Sequence, residues 1–285
     1  MKFRAILCLL LMLSLLPVSG LAEEEEEEIL FSLEDEVELE EIPGYGDVEW
    51  NFPLMLEQMD PDMIRLANKH VLLGSEFVPD PLVSMKSRKS NKAGENTKGG
   101  VNKASSSQMK LQETCAQALV EMFEAGLKED IRLYLKSAYR SYQTQKTMYY
   151  NRLKRNNGRD DGWVNMPGAS DHQTGLGCDI VSRSWRDKAM NRDFAKTKEA
   201  QWMVENAARF GFILRYPSDK EAETEINFEP WHYRYVGKDV AEYIMSRGIC
   251  LEEFHVELQA AIDDFIARGG NPAVVEPYRQ ISVEE

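Results

Sequence analysis

Histidine and cysteine are both scarce in this chain, with four of each in 285 residues. One cysteine, Cys8, lies in the N-terminal apolar run. The other three, Cys115, Cys178 and Cys250, are an odd number and too few for a disulfide scaffold. Whether Cys115 and Cys250 pair is left open by sequence alone, because pairing depends on their separation in space. The one long apolar run, Ala5 to Leu16, falls short of the ~20 residues of a membrane span. A net positive charge is also lacking. The formal charge is −14, and twelve of the acids lie between Glu23 and Glu41. The acidity therefore describes one segment rather than a binding surface, and nucleic acid is excluded as a partner. No internal repeat is present.

Lys2 and Arg4 precede the apolar run, and Gly20-Leu21-Ala22 follows it with small residues. This reads as a signal peptide over 1–22, cleaved after Ala22. The chain would then act in a secreted or cell-envelope, extracytoplasmic setting, as a monomer with no membrane span. Residues 23–44 form an acidic leader expected to be disordered. Residues 45–110 read as an irregular arm, with a basic flexible loop from Met85 to Lys110 that carries seven basic residues and one acid.

Regular patterning begins at Leu111. Leu111, Cys115, Leu119, Met122 and Phe123 recur at helical spacing. Ile131, Leu133 and Leu135 alternate with polar neighbours, as in a half-buried strand. Ser141 caps a helix expected to run to Arg155, and Asn157-Gly158 ends it. Strands are expected at 175–181, 212–216 and 226–228. Helices are expected at 198–210, 238–246 and 251–267, with a tail over 268–285. Helices and strands without βαβ spacing indicate an α+β fold with an antiparallel sheet. The core domain is expected over 111–267.

Half of the histidines sit in two short segments. The first is Ser170-Asp-His-Gln-Thr-Gly-Leu-Gly-Cys-Asp179, and the second is Glu229-Pro-Trp-His232. Zinc favours neutral imidazole and carboxylate ligands, and a catalytic site holds three protein ligands and an open position for water. His172, Asp179 and His232 make such a set, and Glu229 is left to take a proton from water. On spacing alone, His-x6-Asp more often marks a loop histidine near a structural acid. Glu229 and His232 are three apart, and Pro230 disfavours helix at Glu229. A shared site therefore demands a bulge or bend at a strand end. In an extended segment Cys178 points away from Asp179, as a small buried hydrophobe. Arg140 follows a strand and can bind a carboxylate bidentately, although in isolation a salt-bridging surface arginine is the favoured reading.

Three motifs taken together resemble the VanY-type D-alanyl-D-alanine carboxypeptidases. They are Ser137-Ala138-Tyr139-Arg140-Ser141 with Gln145, Ser170 to Asp179, and Glu229-Pro230-Trp231-His232-Tyr233-Arg234-Tyr235-Val236-Gly237. The resemblance spans roughly Leu111 to Phe254, and more loosely the arm over 68–83. Ala138 replaces a usual glycine and Gly177 a usual alanine, both one small residue for another. The resemblance implies a hedgehog/DD-peptidase-like fold, an antiparallel sheet flanked by helices, with Zn2+ on His172, Asp179 and His232. It implies Glu229 as proton acceptor, Arg140 on the substrate's terminal carboxylate, and Gln145 and Ser170 as substrate contacts. The activity implied is D,D-carboxypeptidase action on peptidoglycan stem peptides. An L,D-carboxypeptidase acting on tetrapeptide stems, an endopeptidase and a non-catalytic wall-binding module are the alternatives. Retention of Glu229 with all three ligands argues against the last.

Overall fold

The computed structural model describes residues 48–52, 59–87 and 100–279. The expected signal peptide, the acidic leader and the centre of the basic loop lie outside these residues. In chain order the strands are β1 (Leu82–Ser84), β2 (Lys110–Gln112), β3 (Leu133–Ser137), β4 (Gly177–Ser182), β5 (Phe212–Leu214) and β6 (His232–Tyr235). The helices are α1 (Glu113–Lys128), α2 (Tyr142–Arg155), α3 (Lys198–Asn206), α4 (Glu221–Thr224), α5 (Lys238–Arg247), α6 (Leu251–Ala267) and α7 (Pro272–Val275). Among the described residues, no helix is long and apolar enough to cross a membrane.

Four strands form the central sheet in the order β3-β4-β6-β5, with every pair antiparallel. Alternation along the strands sorts its two faces. Leu133, Leu135, Cys178, Ile180, Phe212, Leu214 and Tyr233 pack with α1 and α3 into one core. The opposite face carries Gly177 and Asp179 on β4, His232 and Arg234 on β6, and Ile213 on β5. Ile213 belongs to a second core with α5 and α6. The fold is thus α+β, an antiparallel sheet flanked by helices, as the resemblance implied.

Local chemistry accounts for the element ends. Ser141 Oγ accepts a hydrogen bond from the Thr144 amide at 3.2 Å and caps α2. Asn157 and Gly158, both with positive φ, terminate it. Leu111 belongs to β2 rather than to α1, which starts at Glu113. The segment 226–228 is not a strand. Its amides are taken by loop partners, Asn227 by Gly162 O at 2.9 Å and Phe228 by Glu221 Oε1 at 2.5 Å, so no ladder forms. The remaining strand of the sheet is instead β6, His232–Tyr235. Within 269–279 the chain folds back: Tyr278 Oη donates to Met59 O at 3.0 Å, and its ring stacks on Trp50. Cys115, Cys178 and Cys250 are all buried and free, so Cys115 and Cys250 do not pair. The Cys115 thiol instead points at Leu176 O, 3.7 Å away.

One small-for-small exchange has a steric cause. A Cβ added at Gly177 would lie 2.8 Å from Asp171 Cβ and 2.9 Å from its carbonyl carbon, both on the turn that supplies His172. Overpacking of this kind typically costs about 1–3 kcal/mol. Gly177→Ala should therefore lower the unfolding free energy by that much, read as a lower urea midpoint at unchanged slope. A midpoint equal to wild type would show that the turn yields freely.

Candidate metal centre

The centre is built on a cross-strand pair. Asp179 on β4 is the direct partner of His232 on β6, so both side chains project from one face at close range. His232 Nδ1 lies 3.1 Å from Asp179 Oδ1, and His172 Nε2 lies 3.4 Å from Asp179 Oδ2. His172 comes from a single helical turn, Asp171–Thr174, that ends at Gly175 with φ of 70°. The turn is tied to the end of β3, because the Arg140 amide donates to His172 O at 3.0 Å. His172 Nδ1 lies 2.7 Å from Ala138 O. A carbonyl can only accept, so Nδ1 carries the proton and Nε2 offers its lone pair to the centre. One atom from each of His172, Asp179 and His232 lies within 4.8 Å of the others, and all three residues are buried. Two imidazoles and a carboxylate converging on one point fit a divalent ion of the zinc type.

Of the bulge or bend expected at a strand end, Glu229 reaches the centre by a bend, a turn. The His232 amide donates to Glu229 O at 3.0 Å, which closes a turn over Pro230 and Trp231 just before β6. This places Glu229 Oε2 3.6 Å from His232 Nδ1. Burial pushes the Glu229 carboxyl well above the usual carboxylate range; neighbouring Asp179 adds to this and Arg140 opposes it. Burial also works against ionisation of Asp179, but His172 and His232 outweigh it and hold that carboxyl well below its usual range. Burial, helped by Arg140, lowers the pKa of His172 and favours its neutral, ligating form.

Arg140 lies on the wall of the same cleft, with Nη2 3.9 Å from Asp179 Oδ2. Its Nη1 donates to Gln145 Oε1 at 2.7 Å, and Nη2 donates to Ser137 Oγ at 3.3 Å. Gln145 Nε2 in turn donates to Asn165 O at 2.5 Å. Both ends of the Gln145 amide are engaged, so in this conformation it orients the guanidinium. Ser170 is buried at the base of the cleft. Met148, Met190 and the stacked pair Trp163 and Trp231, with ring centres 6.3 Å apart, also line it. The remaining histidines lie elsewhere. His70 is bonded to Glu225, and buried His255 meets Ile64 O at 2.6 Å, with burial lowering its pKa to about 4.

Sequence reasoning assigned no role to Asp171 or Arg234. Both are fully buried and joined by a short ion pair. Arg215 Nε donates to Asp171 Oδ2 at 2.7 Å and grips Glu252 with its other two nitrogens at 2.7 and 2.6 Å. A signal for Arg234 was present: residues i and i+2 of a strand share a face, which places it beside His232. Nothing local pointed to Arg215 or Glu252.

A sheet face bearing a His–Asp–His centre, with a carboxylate beside it, defines a peptidase of the hedgehog/DD-peptidase class. The profile described as VanY, D-alanyl-D-alanine carboxypeptidase, matches residues 108–238. The bifunctional D-Ala-D-Ala dipeptidase and carboxypeptidase VanXYC of Enterococcus gallinarum is 35% identical over 142 residues, 49% of this chain and 74% of that protein. The chain belongs to the VanY family. YodJ of Bacillus subtilis (strain 168), a provisionally named carboxypeptidase, is 42% identical over 145 residues, which span 50% of this chain and about half, 53%, of that protein. Among solved structures, the LD-carboxypeptidase LdcB superposes with a TM-score of 0.59 at 36% identity, over 68% of this chain and 86% of LdcB. A mutant of the vancomycin-resistance D,D-pentapeptidase VanY, solved with Zn(II), superposes with a TM-score of 0.51 at 26% identity, over 68% and 98%.

The raised Glu229 pKa has a consequence for stability. A carboxyl whose pKa is higher folded than unfolded loses stabilisation as pH rises from the ordinary carboxylate range through the folded value. Glu229→Gln removes that loss. In chelator, the variant should melt above wild type at neutral pH, and the gap should close as pH falls below the ordinary range. A gap independent of pH would show that Glu229 is ionised at no cost.

Proposed function

We propose that this chain is a zinc-dependent carboxypeptidase that removes the C-terminal D-alanine from peptidoglycan stem peptides, acting outside the cytoplasm. The observation that carries this reading is the convergence of His172, Asp179 and His232 on one point, with Glu229 beside it and Arg140 in the same cleft. His172, Asp179 and His232 would hold the ion through Nε2, a carboxylate oxygen and Nδ1. When bound, zinc supplies a Lewis-acid charge that polarises a carbonyl and acidifies water. Glu229 accepts the proton of the attacking water and delivers it to the amine of the departing D-alanine. Burial raises its affinity for a proton, and the charge of a bound ion would oppose that and leave the carboxylate free to accept one. Arg140, oriented by Gln145 and Ser137, holds the terminal carboxylate and fixes which peptide bond faces Glu229. Ser170 is a further substrate contact.

The likeness to LdcB favours a second reading, L,D-carboxypeptidase action on tetrapeptide stems. Incubation with defined tetra- and pentapeptide stems, with zinc and with chelator, separates the two. Pentapeptide cleavage that chelator abolishes is the expected result. Tetrapeptide cleavage alone would transfer the assignment to the L,D class, and cleavage that survives chelation would remove the metal from the chemistry. Glu229→Ala should keep bound zinc and lose D-alanine release; loss of zinc would recast Glu229 as a ligand.

Arg140 sets the exopeptidase character. A charge-assisted contact to a carboxylate contributes on the order of 1.5–3 kcal/mol. Wild type should strongly prefer a free-acid peptide over its C-terminal amide, and Arg140→Ala should lose most of that preference. Arg140→Lys, which keeps the charge and loses the fork, should be impaired as well. Equal cleavage of acid and amide by wild type would point to an endopeptidase instead.

A further inference from the structure

Four charges, three of them fully buried and the fourth, Glu252, partly so, lie behind His232 and take no part in the chemistry above. Asp171 accepts from Arg215 at 2.7 Å and from Arg234. Arg215 is clamped by Glu252 at 2.6 Å, and Arg234 Nη2 donates to the carbonyls of Met63 and Arg65 at 2.9 and 2.8 Å. The two acids and two arginines sum to zero charge. Each side chain is fixed by at least two partners, so the Asp171 carboxylate cannot rotate away. Burial opposes its ionisation, but Arg215 and Arg234 outweigh that and keep the carboxyl below its usual range.

This fixed carboxylate faces an atom with nothing else to bond. His232 Nε2 is buried and has no hydrogen-bond partner, and Asp171 Oδ2 lies 3.9 Å from it. The Tyr216 ring, 4.9 Å away, and the His172 ring, 4.8 Å away, bracket the imidazole. A neutral imidazole presents either a proton or a lone pair at Nε2. A lone pair aimed at a buried anion is repelled, whereas a proton is attracted. Proton on Nε2 means lone pair on Nδ1, the nitrogen that faces Asp179 at 3.1 Å and Glu229 at 3.6 Å, an arrangement that a cation held between them favours. Metal-bound histidines commonly give their second N–H to a carboxylate, which fixes both tautomer and ring orientation.

We propose that Asp171 is a positioning residue for the metal centre, holding the His232 proton on Nε2 and thereby presenting Nδ1 to the ion. This rests on the metal reading of the site. It means that one turn, Asp171–Thr174, supplies the ligand His172 and also sets the ligand His232 from behind. The close approach of that turn to Gly177 belongs to the same device.

The test compares wild type, Asp171→Asn and Glu252→Gln by zinc competition against a chelator and by long-range nitrogen–proton NMR of the histidine rings. Asp171→Asn removes the charge that faces His232. Glu252→Gln removes an equal charge from the same cluster without touching His232. Wild type should bind one zinc per chain, with His232 carrying a solvent-protected proton on Nε2. Asp171→Asn should bind zinc about 10–100-fold more weakly and lose the protection of that proton, while Glu252→Gln stays near wild type in both. Unchanged affinity and an unchanged ring proton in Asp171→Asn would overturn the proposal and leave the metal reading intact. Equal losses in both variants would reduce Asp171 to a stability role and overturn it too. A wild type that binds no zinc would instead overturn the metal reading, and this proposal with it. Should Asp171→Asn not fold, zinc-loaded wild type decides: ligation through Nδ1 leaves a proton on Nε2 in any case, so a downfield Nε2 proton that reports the nearby carboxylate supports the proposal, and one at the shift of a free imidazole N–H overturns it.

Discussion

The register of β4 against β6 is the constraint on which the rest of the centre depends. Asp179 stands opposite His232, and a slip of one residue would turn either side chain to the opposite face. Two kinds of force hold the register. On one face, Cys178, Ile180 and Tyr233 are buried in the core with α1 and α3. On the other, Arg234 must lie where Asp171 can reach it, because an unpaired buried guanidinium is costly. The ladder also continues past the paired residues, with the Ile180 amide on Trp231 O at 2.8 Å and the Tyr235 amide on Leu176 O at 2.9 Å. Hydrophobic burial and charge pairing thus select the same alignment.

A buried ionic cluster is seldom the most stable filling for a protein interior, since apolar side chains of similar volume often serve as well or better. Its value here is geometric. Arg215, Arg234, Asp171 and Glu252 bring together β5, β6, the ligand turn and α6, and Arg234 adds the arm through Met63 and Arg65. Oil-like packing would fill the same space without fixing where the Asp171 oxygens point. Glu229 shows the complementary tension: its carboxyl is held where burial disfavours its charge, in the place where proton transfer needs it.

Sequence reasoning reached the centre because its chemistry is concentrated in short motifs. His172, Asp179, His232 and Glu229 converge as their residue types suggested, and β3, α2, α5 and α6 follow from periodicity and capping. The misplaced strand at 226–228 failed for a physical reason, because loop and side-chain acceptors took its amides. The turn that joins Glu229 to His232 was foreseen only as a bend of some kind, since Pro230 excludes helix without selecting its replacement. Gln145 was read as a substrate contact, yet both its amide groups are engaged by Arg140 and Asn165. The Arg215–Glu252 pair was invisible, because two surface-type residues 37 positions apart carry no sign of burial until the fold brings them together.

The reach of that pair bears on modularity. The family profile ends at residue 238, whereas Glu252 lies on α6, and the carbonyls that receive Arg234 lie on the arm before residue 108. The unit that shares ancestry and the unit that is electrostatically closed are therefore different lengths of chain. A segment excised at the profile's edges would keep every ligand and the proton carrier. It would also bury Arg215 with one counter-charge removed and take from Arg234 the carbonyls of Met63 and Arg65. Grafting this centre onto another scaffold, or trimming the chain to a minimal enzyme, has to carry the arm and the first turn of α6 along with the motifs.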